Sequence, residues 1–142
     1  MTATTEHNQE CENHRPKNDW TGWTPVLRVA DAASSIRFYC ELLGFNNDWT
    51  HRFADDFPAY ASVSRDPLIL HLSEHEGGGT EKADLFVHVM DVDSVYQEFK
   101  ANGLVANPPV TEEEIGLRQF EFEDPDGHQI TFGTGIQFLT VE

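Results

Sequence analysis

A stretch beginning at Thr24, TPVLRVADAASSIRFY, returns 60 residues later as DLFVHVMDVDSVYQEF, beginning at Asp84. At that offset Leu27 falls on Val87, Val29 on Val89, Asp31 on Asp91, Ile36 on Tyr96 and Tyr39 on Phe99. An echo of this length means two copies of one supersecondary unit, each with the same apolar pattern and the same need to bury it. Each copy opens on strand-like alternation, Val26–Val29 and Leu85–Val89, followed by Asp31 or Asp91 where a helix N-cap accepts backbone N–H groups. Ile36, Tyr39, Cys40 and Leu43 in the first copy, and Val92, Val95, Tyr96 and Phe99 in the second, then recur at helical spacing. Gly44 and Gly103 supply the stops.

After each helix the period becomes two. Phe45–His51, Phe57–Ser64 and Leu68–Ser73 follow in the first copy, and Val105–Val110, Arg118–Glu123 and Gln129–Thr134 in the second. Both copies therefore read β-α-β-β-β, an α+β chain of two tandem modules. Arg65-Asp66-Pro67 and Asp124-Pro125-Asp126-Gly127 carry turn chemistry between the last two strands of each. The division is a polar leader at 1–22, a first module at 23–73, a linker at 74–83 and a second module with its tail at 84–142. The glycines at 77–79 follow a strand but precede no helix, so they read as linker rather than as a phosphate-cradling loop. Such a linker lets the modules pair within one chain or exchange between two.

Leu, Ile, Val and Phe supply about a quarter of the 142 residues, above the roughly one-fifth below which a highly charged chain stays disordered. The formal net charge of −16 repels phosphate backbones, which argues against nucleic acid and favours cationic partners. No apolar run reaches the roughly 20 residues of a membrane span, and the N-terminal residues do not resemble a signal peptide, so a cytoplasmic protein is expected. Cys11 in the leader and Cys40 on the first helix suit a reducing compartment, Cys40 as a small buried hydrophobe. The leader is expected to be mobile unless Trp20 and Trp23 dock it on the body.

The paired modules, the strand–Asp–helix openings and the EDPDGHQITF hairpin resemble the glyoxalase / bleomycin-resistance / extradiol-dioxygenase (vicinal oxygen chelate) superfamily over about residues 23–134. HRFADDFPAYASVSRDPLILHLSEHEG is similar to its glyoxalase-like, bleomycin-resistance branch. The resemblance implies curved mixed sheets around a cleft with the helices outside. It also implies, in the enzymes, a divalent ion held by one side chain from the first and last strand of each module. Here those positions carry Thr24, His71, Asp84 (or Leu85 if the repeat slips by one) and Thr131, leaving His71 and Asp84 as the metal candidates. A threonine hydroxyl is a poor donor beside the His or Glu it replaces.

Strand parity places His71 opposite Leu70 and Leu72, and Phe86 and His88 opposite Val87 and Val89, on the cleft side. Glu121 and Glu123 alternate with Phe120 and Phe122 and suit a cationic guest if the phenylalanines are core. Arg28 shares the cleft side of the first strand. In drug-binding relatives the segment carrying Trp49, Phe57 and Tyr60 helps line the pocket. The expected ligand contacts are thus Trp49, Phe57, Tyr60, His71, Phe86, His88 and Glu121. Each residue has a structural alternative: strand packing or a dimer contact for the aromatics, a hydrogen-bonded imidazole for His71, a solvated face for the acids.

The expectation is a non-enzymatic homodimer, without cofactor, that sequesters a flat cationic small molecule. The rival is a metal-dependent lyase or dioxygenase whose single divalent ion sits in a rearranged site of His71, Asp84 and His88 or Glu121. A third reading is a folded domain for an unrecognised metabolite. No nucleophile motif or dinucleotide fingerprint points elsewhere.

Overall fold

The computed structural model describes residues 16–139. In chain order the elements are β1 (Val26–Arg28), α1 (Ala32–Arg37) running into a π-helical turn (Phe38–Leu42), β2 (Asn46–His51), β3 (Tyr60–Arg65) and β4 (Leu68–Ser73). Then come β5 (Asp84–His88), α2 (Val92–Ala101), β6 (Val110–Glu112), β7 (Leu117–Glu123), β8 (Gln129–Gly135) and a 3-10 turn (Ile136–Phe138). They form two four-stranded sheets, ordered β1-β4-β3-β2 and β5-β8-β7-β6. In each sheet the first strand runs parallel to the last and the others are antiparallel. The register repeats with the sequence: Val26 lies beside His71 and Phe86 beside Thr131, residue for residue 60 apart.

Alternation decides which face is buried. Leu27, Val29, Ala61, Val63, Leu70 and Leu72 of the first sheet are buried, as are Phe120, Phe122, Ile130 and Phe132 of the second, all on the side that carries the helices. The two helix-bearing faces share one core. Phe120, Phe122 and Phe132 stack with centroids 5.9–6.1 Å apart around the edge of Phe99 from α2, while Phe38 of the first module reaches Phe122 at 6.2 Å. Burying each such side chain contributes about 1.5–3 kcal/mol, and edge-to-face pairs add specificity of orientation.

The turn at 124–128 joins the modules. Tyr39, fully buried in the first module, donates its hydroxyl to Asp124 Oδ2 at 2.6 Å, while Asp124 Oδ1 accepts the backbone N–H groups of Asp126 and His128 at 2.9 Å. Asp126 accepts from the Ala30 N–H (2.8 Å) and the Ser35 hydroxyl (3.1 Å) at the start of α1. His128, at 0% exposure, accepts the Ala83 N–H on Nδ1 at 2.9 Å. Its proton must therefore sit on Nε2, 2.8 Å from the Arg28 carbonyl oxygen that accepts it. Reciprocally, Arg65 at the β3–β4 turn pairs with Glu98 of α2 at 2.7 Å and donates to the Leu43 carbonyl. Each module's last hairpin thus grips the other's helix.

Several sequence expectations need correction. Asp91 caps α2 through Ser94 N–H at 3.2 Å, but Asp31 accepts only from the Ser34 hydroxyl. The Ala32 N–H goes instead to Glu74 Oε2 at 2.7 Å. The equivalent Val92 N–H goes to Thr134 Oγ1 at 2.8 Å, again 60 residues on from Glu74. Strand β3 begins at Tyr60, not Phe57, because Phe57 turns its N–H back to the Ala54 carbonyl and Pro58 has none to give. Residues 105–109 form no strand, since Pro108 and Pro109 cannot donate to a ladder; β6 is confined to Val110–Glu112. The 74–83 segment is not loose: Thr80 pairs with β1, giving its N–H to Val26 and accepting from Arg28. Cys40 is half-buried rather than buried. Trp20 and Trp23, 88% and 97% exposed, do not dock, and residues 1–15 of the leader, with Cys11, lie outside the described residues together with 140–142. Among the described residues no helix is long and apolar enough to cross a membrane.

Candidate ligand-binding faces

The side of each sheet away from the helices stays open. On the first sheet it holds Val26, Arg28, Ile69, His71, Tyr60, Ser62 and Trp49. Trp49 is there because of a bulge. Asn46 pairs with Ser64 and Asn47 with Val63, so an unbroken ladder would set residue 49 against Ala61 on the core side. The register shifts between Asn47 and Trp49, and Trp49 falls on Ser62 instead. A bulge of this kind re-aims one side chain to the other face. Asp48, the extra residue, is held by the Ser62 and Ser64 hydroxyls at 3.2 and 2.8 Å.

Trp49, Tyr60 and His71, all expected as ligand contacts, come together there. The indole stacks on the Tyr60 ring (5.9 Å, 11°) and meets the His71 imidazole edge-on (5.4 Å, 65°). Tyr60 Oη lies 2.9 Å from His71 Nδ1, a hydrogen bond that fixes the orientation of both rings. With Trp49 still 47% exposed, the three form an aromatic platform with polar atoms at its edge, suited to stacking on a planar guest. Phe57 does not join it. It lies in the β2–β3 loop near Phe53 (6.5 Å), which packs on His51 (4.8 Å), and Arg52 ties this loop to the Phe57 carbonyl and lies 3.7 Å from Glu74. Arg28 donates to its neighbour's carbonyl, Val29 O, rather than to a carboxylate.

The open face of the second sheet holds Asp84, Phe86, His88, Gln119, Glu121, Glu123, Gln129 and Thr131. Phe86, 39% exposed, lies 4.7 Å from His88. Glu121 accepts from Gln129 Nε2 at 2.8 Å, and Asp84, Glu121 and Glu123 are all exposed. Ile69 of the first sheet and Phe86 of the second line one apolar cavity of about 130 Å³ together with core residues Tyr39, Leu43, Leu70 and Phe132.

The implied four-ligand metal site is not matched by these residues. The observed register sets Val26 beside His71 and Phe86 beside Thr131; Thr24 and Asp84 fall one open-face position earlier, Asp84 beside Gln129. Next to the last-strand positions stand two apolar side chains, leaving one imidazole and one hydroxyl as donors. Among the described residues no three His, Cys, Asp or Glu side chains are placed to hold one ion. Four residues that sequence reading did not single out, Glu74, Asp126, His128 and Gly133, shape these faces from beneath. Their partners lie 15 to 100 residues away, so only the odd glycine within a strand was visible beforehand.

Comparison with known proteins agrees with this architecture. The family model described as "Glyoxalase superfamily protein" matches residues 18–137. The bleomycin resistance protein of Geobacillus stearothermophilus is 28% identical over 123 residues, covering 76% of this chain and 92% of that protein. Among solved structures, a glyoxalase-related enzyme from Clostridium phytofermentans superposes with a TM-score of 0.72 at 20% identity, covering 86% of this chain and 100% of that one. The bleomycin-binding protein of Streptomyces verticillus, solved with copper(II)-bleomycin, superposes with a TM-score of 0.62 at 24% identity, covering 84% and 99%. At these identities the structural likenesses speak for the fold, which both an enzyme and a binder share.

Proposed function

The chain belongs to the glyoxalase superfamily, and from that premise we propose that it is a metal-free binding protein that sequesters a planar, cationic small molecule of the bleomycin type. The observation that carries this reading is the complementary chemistry of the two open faces. One is the Trp49–Tyr60–His71 platform; the other bears Phe86 and His88 among Asp84, Glu121 and Glu123. The aromatic part of a ligand stacks on the rings, and its cationic part meets the carboxylates. Sequestration needs affinity alone, supplied by apolar burial and by the long-range attraction of a chain with net charge −16. The 28% identity to a bleomycin resistance protein over most of both chains supports the ligand class.

The same reading makes the protein a homodimer with its cleft at the interface. Phe53 and Phe57, both exposed and 6.5 Å apart in the β2–β3 loop, form an apolar pair that a second copy would cover. The donor set offers the metal-enzyme alternative no comparable anchor: the four family positions supply only His71 and Asp84, and among the described residues no three His, Cys, Asp or Glu side chains are placed to hold one ion.

Isothermal titration with metal-free bleomycin is the test. Binding at about micromolar affinity or better is expected, weakening as salt screens the carboxylates. No heat at either low or moderate ionic strength overturns the ligand assignment.

A further inference from the structure

Strand β8 carries a glycine at position 133, in the interior of Gln129–Gly135. Glycine weakens a strand interior, so a backbone need or a space need must keep it there. The backbone need is absent: Gly133 is not among the glycines with positive φ, and alanine would adopt its conformation. Space is the reason. A Cβ at 133 would lie 2.5 Å from Cζ and 3.3 Å from Cε1 of Phe86, and 3.4 Å from Cβ of Gln119. The Phe86 ring therefore reaches over β8 with its Cζ edge against the space a Gly133 side chain would fill, one open-face position beyond its own register partner Thr131, with His88 beside it. At the equivalent place the first module has Ser73 beneath and Val26 in place of the phenylalanine, so no ring is seated there.

We infer that Gly133 is the specificity-determining position of the second open face, because its missing side chain lets Phe86 lean over β8 as a floor for a planar ligand. This deepens the binding reading above and rests on it. Any side chain at 133 turns the ring up into the space the ligand would use, so the position separates a face that admits flat molecules from one that does not. Gly133 is a positioning residue; Phe86 makes the contact.

The test joins a ligand-free readout to a binding one. In the wild-type protein the Gly133 α-protons should show ring-current shifts that vanish in Phe86→Leu; their absence in the wild type overturns the seating. Gly133→Ala should melt within a few degrees of wild type yet bind bleomycin about tenfold more weakly or worse. Gly133→Ala should cost nothing further in a Phe86→Ala background, since the two residues act as one unit. Equal affinity of Gly133→Ala and wild type, or an equal loss with and without Phe86, overturns the inference. Should Gly133→Ala fail to fold, the double variant must fold, because the clash is gone; its failure also overturns the inference. A wild-type protein that takes up no bleomycin sinks the binding reading and the specificity role with it, while the ring-current shifts still judge the seat.

Discussion

The two open faces occupy equivalent positions of one repeated unit, yet their chemistry differs. Val26 answers to Phe86, His71 to Thr131, Ser73 to Gly133 and Arg28 to His88. On the helix-bearing side the same offset pairs Leu27 with Val87, Val29 with Val89, Leu70 with Ile130 and Leu72 with Phe132, all apolar. A buried position tolerates exchange only among apolar groups of similar bulk, so the core kept the memory of the duplication. The open faces answer to no such constraint, and they have diverged into an aromatic platform and an acidic surface, the difference on which the proposed ligand recognition rests.

The comparison extends to the two joints, and breaking each should separate them. Asp124 is buried and accepts from Tyr39 and two backbone N–H groups. Removing it in Asp124→Ala strands three donors and should cost about 3–5 kcal/mol in urea denaturation. Its counterpart, Arg65–Glu98, is an ion pair with 44% and 40% of its side chains exposed, and Arg65→Met should cost about 1 kcal/mol or less. A reversal of that order would mean the 124–128 turn is not what holds the modules together.

A pH titration sharpens the contrast at the Tyr39–Asp124 joint. Burial, reinforced by the negative charge and hydrogen bond of Asp124, pushes the Tyr39 phenol far above its ordinary value of 10.0. The folded pKa is raised, so this contribution is complete below pH 10 and is lost as pH rises further, by up to about 1.4 kcal/mol per unit. Urea midpoints measured between pH 8 and pH 11.5 should therefore fall at the alkaline end, and Tyr39→Phe should flatten that fall after a loss of about 1 kcal/mol at neutral pH. An unchanged alkaline limb in Tyr39→Phe would show that another group controls it.

What the sequence made legible follows from locality. The 60-residue echo foretold that the two sheets share one register, and Val26 against His71 in the first recurs as Phe86 against Thr131 in the second. Alternation placed His71, Phe86, His88 and Glu121 on the open faces. Position 49 needed a bulge that no alternation reveals, although Asn46, Asn47 and Asp48 are poor strand formers. The helix start at Asp31 was legible, but nothing local showed that Glu74, from 42 residues away, would accept the Ala32 N–H there. The module joint, built from Tyr39, Asp124, Asp126 and His128, spans 85 to 100 residues and left no local trace.

The central claim, that both open faces recognise one planar cation without a protein-held metal, is tested most directly by two-dimensional NMR during titration with metal-free bleomycin after chelator treatment. The account predicts that the Trp49 indole, Tyr60, His71, Phe86 and His88 signals move together along one binding curve. Shifts confined to one face, or binding that appears only when a divalent ion is restored to the protein, would contradict it.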